Sequence, residues 1–318
     1  MLGLAMWITF LNYAFFPVGS AFFPVLSTIC LDLNSAEVAI SAVKFHGRNT
    51  RKTAEMISKI ALQHSAEGYG TTDLDPLSGT RWVTMTNALI RAGHGLTLAE
   101  KRIVACGVSK LDSRRLYGPG DVPTTRITAA EYAELFGVDI DTAYDQLQDA
   151  AKQLYQRSIT FFEPAHRRNG KPLPPTRVMM RWVGQVHYQH GEGWVELYWW
   201  HKLLPHLTGL RKQFTTYQLQ QASALRSVYS WRLLELLMRF EPTGCAEYTV
   251  EDFATSMDAT DKQRADFAAV RRKIIEPAVK ELTEKDGWLI QWIAIKAGRK
   301  VAKVRFTFMR NPQALLPL

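Results

Sequence analysis

Cysteine is scarce. Cys30, Cys106 and Cys245 are the three in 318 residues, and they stand far apart. The odd count argues against a disulfide framework, and no pair has the spacing of a structural metal site. That usage suits a reducing cytoplasm. No GxxxxGK(S/T) segment is present to cradle a nucleotide phosphate, and no Gly-x-Ser-x-Gly elbow to present a nucleophile. No two histidines stand two apart, so the His-x-His motif of a strand-nicking enzyme is missing. His187 and His190, with Glu192 nearby, sit at an expected hairpin turn and lack a third ligand. They read as a surface pair. No catalytic residue, metal or cofactor is assigned, and the chain is read as a non-enzyme.

Acidic residues are in deficit. Thirty Asp and Glu face 39 Lys and Arg, giving a net charge of +9 and a pI near 9.4. A polyanionic partner is favoured, although a merely basic soluble protein has the same total. An apolar fraction of 47% is ample for packed cores, and the length allows one to three domains.

Charge is absent altogether from residues 1–31, where Trp7, Phe10, Phe15, Phe16, Phe22 and Phe23 make a strongly apolar stretch. It is long enough to span a bilayer, but Pro17, Gly19 and Pro24 interrupt it and no basic residues precede it. Three readings fit: a membrane anchor, a poorly folded extension, or translated sequence upstream of the true start, with Met56 and Met85 as later starts. The last two are preferred. Residues 36–43 and 53–64 have helical periodicity, and 68–79 is turn-rich like a linker. Residues 1–80 are therefore expected to be an N-terminal extension.

From residue 81 the texture is that of compact domains. Residues 83–91 suggest a helix or a strand leading into one. Thr97 and Glu100 form a capping box ahead of a helix reaching Val108, and 112–125 is a loop. A second box, Thr128 with Glu131, precedes Tyr132, Leu135 and Phe136, and Gly137 marks a turn. Residues 141–157 place Ala143, Leu147, Ala150 and Leu154 on one helical face. Residues 158–162 are β-prone, 163–177 form a loop, and 178–188 and 194–200 are strands. Trp199 and Trp200, adjacent on a strand, face opposite sides, leaving one available to pack between domains. A short broken helix is expected around Pro205 and continues through 214–222. An apolar helix over 225–240 then opens the core of the next unit.

That unit, residues 248–310, echoes the earlier one. Ile127 aligns with Tyr248 without a gap for ten residues, so Thr128 falls on Thr249, Tyr132 on Phe253, Ala133 on Ala254 and Phe136 on Met257. Each segment is followed by a turn, a long helix and a hairpin, which suggests two copies of one architecture. Helix, turn, basic helix and hairpin is the order of a winged helix-turn-helix. The expected fold is α+β, two tandem winged-helix domains over 81–205 and 206–318.

Phe214-x-x-Tyr217, then Leu225-x-Ser227-x-Tyr229-Ser230-x-Arg232-Leu233-x-Glu235-Leu236-Leu237, resembles the iteron-binding plasmid replication initiator family. Pro277-Ala278-Val279-x-Glu281-Leu282 and Gly298-Arg299-x-Val301-x-x-Val304-x-Phe306-x-Phe308 fit it too. The resemblance covers roughly residues 84–310. It implies tandem winged helices that bind double-stranded origin repeats, help to open the duplex and recruit the host replication initiator and replicative helicase. It also implies a monomer–homodimer equilibrium and, in many members, repression of their own promoter. A dimeric winged-helix transcriptional regulator without a replication role is the alternative.

The second copy's long helix, 262–284, aligns Phe267, Val270, Ile274, Ala278 and Leu282 on one face, with Arg272 opposite and Arg264 and Arg271 on the flanks. Lys262 and Lys273 add to this charge, which lies before Pro277; the proline should bend or restart the helix. The N-terminus of such a helix would add its own partial positive charge. Lys296, Arg299, Lys300 and Lys303 on the wing are expected to contact phosphates, giving affinity and salt dependence more than sequence choice. A single arginine is as well explained by solvent; the cluster on this fold favours DNA. In the first copy Asp139, Asp141, Asp145 and Asp149 would repel phosphate at the corresponding helix, although Thr142, Gln146 and Gln148 could read bases. Its basic residues, Arg114, Arg115, Arg167, Arg168 and Lys171, lie in loops.

Overall fold

A computed structural model of the chain describes residues 81–118, 120–163, 167–168, 171–172 and 176–311. The expectations for residues 1–80, the membrane reading included, lie outside the described residues. Among those described, no helix is long and apolar enough to cross a membrane.

The first strand, β1 (Trp82–Thr86), leads into the short helix α1 (Asn87–Arg91), whose N-cap is Thr86. Met85, one of the later starts considered, is buried within β1. Helix α2 (Leu98–Val108) carries the expected box: Thr97 accepts from the Glu100 amide, and Glu100 accepts from that of Thr97. Then β2 (Thr124–Thr128) meets the second box, Thr128 with Glu131, and α3 (Ala129–Phe136) follows. Gly137 ends α3 in the left-handed region at φ 58°, where a glycine has no Cβ to clash. Asp139 caps α4 (Ile140–Leu154), which buries Ala143, Leu147, Ala150 and Leu154 as the periodicity requires.

Beyond α4 the chain forms β3 (Ser158–Glu163), a small hairpin β4 (Arg167–Arg168) and β5 (Lys171–Pro172), β6 (Thr176–Arg181), β7 (Val183–Tyr188) and β8 (Trp194–Trp199). The expected loop 163–177 is thus partly a hairpin. The expected strand 178–188 is two strands, because β6 pairs with β3 and β7 with β8. The break is at Trp182, whose fully buried ring meets His94 edge-on at 4.9 Å. Trp199 is buried inside the first domain, donating to Thr125 Oγ1. It packs so closely on Gly107 that a Cβ there would lie 2.8 Å from the indole. Trp200 covers Gly184. Trp199 therefore does not fill the inter-domain role considered for one of the pair.

A 3-10 turn (Leu204–His206) accounts for the expected broken helix. The expected continuation over 214–222 is instead a strand, β9 (Phe214–Gln218), and then α5 (Leu219–Ser223). β9 buries Thr215 and Tyr217 in alternation because β1 lies beside it, antiparallel, with Val83 opposite Tyr217. A tertiary partner has overridden local preference. The cut expected at 205 therefore separates two paired strands. Helix α6 (Val228–Met238) follows, buried on every side from Ser230 to Met238. Val228 and Tyr229 in its first turn, and Phe240 just beyond its end, are half-buried. α6 packs against α1 and β9 of the first domain and against elements of the second.

The second domain opens with β10 (Cys245–Thr249) and α7 (Val250–Ser256), capped by Thr249. The expected single helix is in pieces: α8 (Asp261–Arg264), α9 (Phe267–Val270), a π turn (Arg271–Ile275) and α10 (Glu276–Lys285). Asp266 causes the first break; it is extended at φ −139° and caps the amide of Ala268. Pro277 causes the second. It cannot donate to a carbonyl one turn back, and it stands in the first turn of α10, where no donor is needed. The wing is β11 (Trp288–Ala297) and β12 (Lys300–Arg310). The sheet order β10-β12-β11 repeats the first copy's β2-β8-β7. In both, the strand entering the helix-turn-helix pairs with the second strand of the wing.

Candidate nucleic-acid interface

The second helix-turn-helix is built on Phe253 from α7, on its C-cap Met257, and on Val270, Ile274, Ala278 and Leu282 from the segmented helix, all buried. With that face committed to the core, Lys262, Arg271, Arg272 and Lys273 are left exposed. Lys262 and Lys273 make no ion pair among the described residues. Arg271 lies 3.5 Å from Glu276 with both side chains half-exposed, a pairing worth little in water. Arg272 donates to the carbonyl of Ala268 at 3.3 Å, which steadies its stem along the helix. The π turn places three consecutive cations, 271–273, within one widened turn.

Arg264 is differently occupied. Its Nε donates to the carbonyl of Ala259 at 2.8 Å and Nη1 to Thr255 Oγ1 at 2.9 Å. It braces the turn. The dipole expected at this helix start is also weakened, since α8 has only four residues before the break. At the wing, Lys296 and Lys300 flank the two-residue tip Gly298-Arg299, and these two and Arg299 are exposed and without an ion pair among the described residues. Lys303, farther back, is tied to Glu247 at 2.8 Å, and Arg305 reaches the same carboxylate at 2.7 Å. Hydrogen bonds from these two cations hold Glu247 below the usual carboxylate range.

The first copy presents a contrasting surface. Asp139, hydrogen-bonded by Thr142, is likewise held below the usual range, so it stays charged at the start of α4. Lys152 on that helix is paired with Asp149. Arg167, Arg168 and Lys171 fall on the β4–β5 hairpin beyond β3 and β6, away from α4 in sequence and in strand pairing. Arg114 and Arg115 lie in the α2–β2 loop, Arg115 with its guanidinium 4.9 Å from the Tyr117 ring. This loop is held by the amide of Leu210 donating to the carbonyl of Ser113 at 2.9 Å. Exposed Arg211 and Lys212, which sequence reasoning missed, are thereby brought beside Arg114 and Arg115. A loop-to-turn contact between segments so far apart in the chain leaves no local signal. His187 sits on β7 beside Tyr198 and Glu196, and His190 is on the exposed turn.

Two winged helices in tandem, the second with a basic helix and wing, define a winged-helix DNA-binding protein. Residues 82–238 match the family model of the initiator replication protein's first winged-helix domain, WH1. Residues 249–308 match that of the initiator Rep protein's second, WH2. The chain belongs to this family of replication initiators. It is 25% identical over 226 residues to an uncharacterized 27.6 kDa protein of Escherichia coli, covering 68% of this chain and 91% of that one. A replication initiation protein of Escherichia coli is 22% identical over 205 residues, which span 63% of this chain and 61% of the relative. The crystal structure of Pi initiator protein in complex with iteron DNA superposes with a TM-score of 0.60. That likeness, at 21% identity over 73% of this chain and 98% of the other, shows the shared fold.

Proposed function

We propose that this chain initiates plasmid replication by binding repeated origin sites, the iterons, with both winged-helix domains. The carrying observation is the exposed charge of Lys262, Lys273, Lys296, Arg299 and Lys300, without an ion pair among the described residues, with that of Arg271 and Arg272, on a helix and wing whose opposite faces are buried. The segmented helix enters the major groove, Arg271 and Arg272 facing base edges, and the wing tip follows the phosphates. Lys303 is secondary, because Glu247 already neutralises it, and Arg264 acts by bracing the turn. In the first domain Arg114, Arg115, Arg167, Arg168 and Lys171, joined by Arg211 and Lys212, contact backbone. The same domain serves dimerisation in a monomer–homodimer equilibrium. The first domain extends through α6, since β9 pairs with β1. Recruitment of the host replication initiator and the replicative helicase follows duplex opening, in the cytoplasm, with no catalytic step assigned to this chain.

A footprint of the full chain across the DNA flanking its gene tests the proposal. Protection of several direct repeats is the expected result. Protection of a lone inverted repeat would point instead to a transcriptional regulator.

A further inference from the structure

The two copies differ at one turn. The ungapped alignment that puts Tyr248 on Ile127 puts Asp258 on Gly137, and both residues are left-handed, at φ 51° and 58°. Glycine takes that conformation without steric cost; aspartate does not. Asp258 has a use that Gly137 lacks. Its Oδ2 accepts the amide of His94 at 3.1 Å, across to the first domain. Its Oδ1 lies against Gly93, where an added Cβ would come within 3.1 Å.

A buried guanidinium stands behind this contact. Arg232 on α6 is 1% exposed. Its Nε donates to the carbonyl of Ser256 at 2.8 Å, at the end of α7, and Nη2 donates to the carbonyl of Ala92 at 2.7 Å. Ser256 Oγ donates to the carbonyl of Arg91 at 3.1 Å. His94 Nε2 donates to Leu89, which leaves Nδ1 free to accept from Arg232 Nη1 at 2.9 Å. Residues 91–94 of the first domain and 256–258 of the second are thus joined around one side chain. Glu235 balances it and also accepts from Lys101, at 2.7 and 2.9 Å, and from the Tyr217 hydroxyl at 2.8 Å. Every strong donor here has a partner, and such a network favours a single arrangement.

We propose that Asp258 and Arg232 form an inter-domain latch holding the second helix-turn-helix at a set distance and angle from the first domain, so that the chain reads its two half-contacts at one spacing. The latch rests on the reading that both domains grip one duplex. Neither residue is placed on the DNA; both are positioning residues.

The test compares full-length wild type, Asp258→Gly and Arg232→Met on two duplexes: the site mapped by footprinting, and that site with two base pairs inserted between its two protected segments. Two base pairs turn one half-site by about 70° about the DNA axis, at roughly 10.5 base pairs per turn. With rigid domains the wild type forfeits one domain's share of the avidity and binds the inserted site about 100-fold more weakly. Asp258→Gly restores the first copy's own residue at a turn glycine tolerates, so it folds even if Arg232→Met does not. It is expected to cut the ratio between the two duplexes to below about 10-fold. A wild-type ratio retained by Asp258→Gly overturns the latch and leaves two-domain binding intact. Wild-type indifference to the insertion, or no footprint, overturns two-domain binding and the latch with it.

Discussion

Both copies turn the chain left-handed after the first helix of the helix-turn-helix, one with Gly137 and the other with Asp258. Both cap the next helix two residues later, with Asp139 and Thr260. From there they diverge. In the first copy the next helix is continuous, begins acidic, and carries a single lysine, Lys152, paired with Asp149. In the second it is broken twice, and cations gather between the breaks. One architecture thus carries two different surfaces. Caps, turn and sheet order are what the fold needs, and the exposed helical face is free to vary because nothing packs on it.

Charge reversal measures that divergence most sharply. Arg271→Glu with Arg272→Glu should weaken origin binding by about 100-fold or more, since both lost contacts and new repulsion act at the groove. Arg167→Glu with Arg168→Glu should cost nearer 10-fold and chiefly lower the slope of log K against log salt by about two, one phosphate contact per residue. Gel shifts at several salt concentrations would show it. Equal losses from the two pairs would remove the asymmetry.

The turns give the next largest effect. Gly137→Asp should destabilise by about 1–2 kcal/mol in chemical denaturation. Nothing lies within 4 Å of a Cβ there, so the cost is backbone strain alone. Asp258→Gly should change stability by less, because relief of strain offsets the hydrogen bond to His94. The caps follow: Thr128→Ala and Thr249→Ala should each cost about 1 kcal/mol. Thr128 should cost more, because its loss also breaks the reciprocal box with Glu131.

Acid provides the finest comparison. Burial alone would raise the Glu131 carboxyl, but hydrogen bonds from Lys110 and Arg81 outweigh it and hold the group below the ordinary glutamate value. Glu247 is lowered by Lys303 and Arg305. In both, the folded state favours the charged form. The stability they contribute is complete above the ordinary glutamate pKa and is lost as pH falls through their lowered values. Glu131→Gln should flatten the acid limb of a stability–pH curve more than Glu247→Gln. The Glu131 side chain is 12% exposed and that of Glu247 24%, so solvent screens the first less.

Much of this organisation was legible in the chain. Thr97, Thr128 and Thr249 announced their helices, because a cap and the amides it satisfies lie within three residues of each other. The restart at Pro277 followed from a missing donor. The break at Asp266 was also local, but Asp266 went unread beside the stronger apolar line from Phe267 to Leu282. Phe214–Gln218 could not be read as a strand from within, since its alternation has meaning only once β1 lies beside it. The bond from Arg264 to the carbonyl of Ala259 was hidden as well, because a sequence shows a charge and not the carbonyl it faces.

By itself the sequence determined the repeat, the caps, the basic second unit and the family. Those properties depend on neighbours a few residues apart, or on residue order. Tertiary structure alone decided which cations remain free among the described residues, that β9 pairs with β1, and that Asp258 reaches His94 across 164 residues. Each of these is a contact between distant segments, where burial selects one partner among many that the chain could offer.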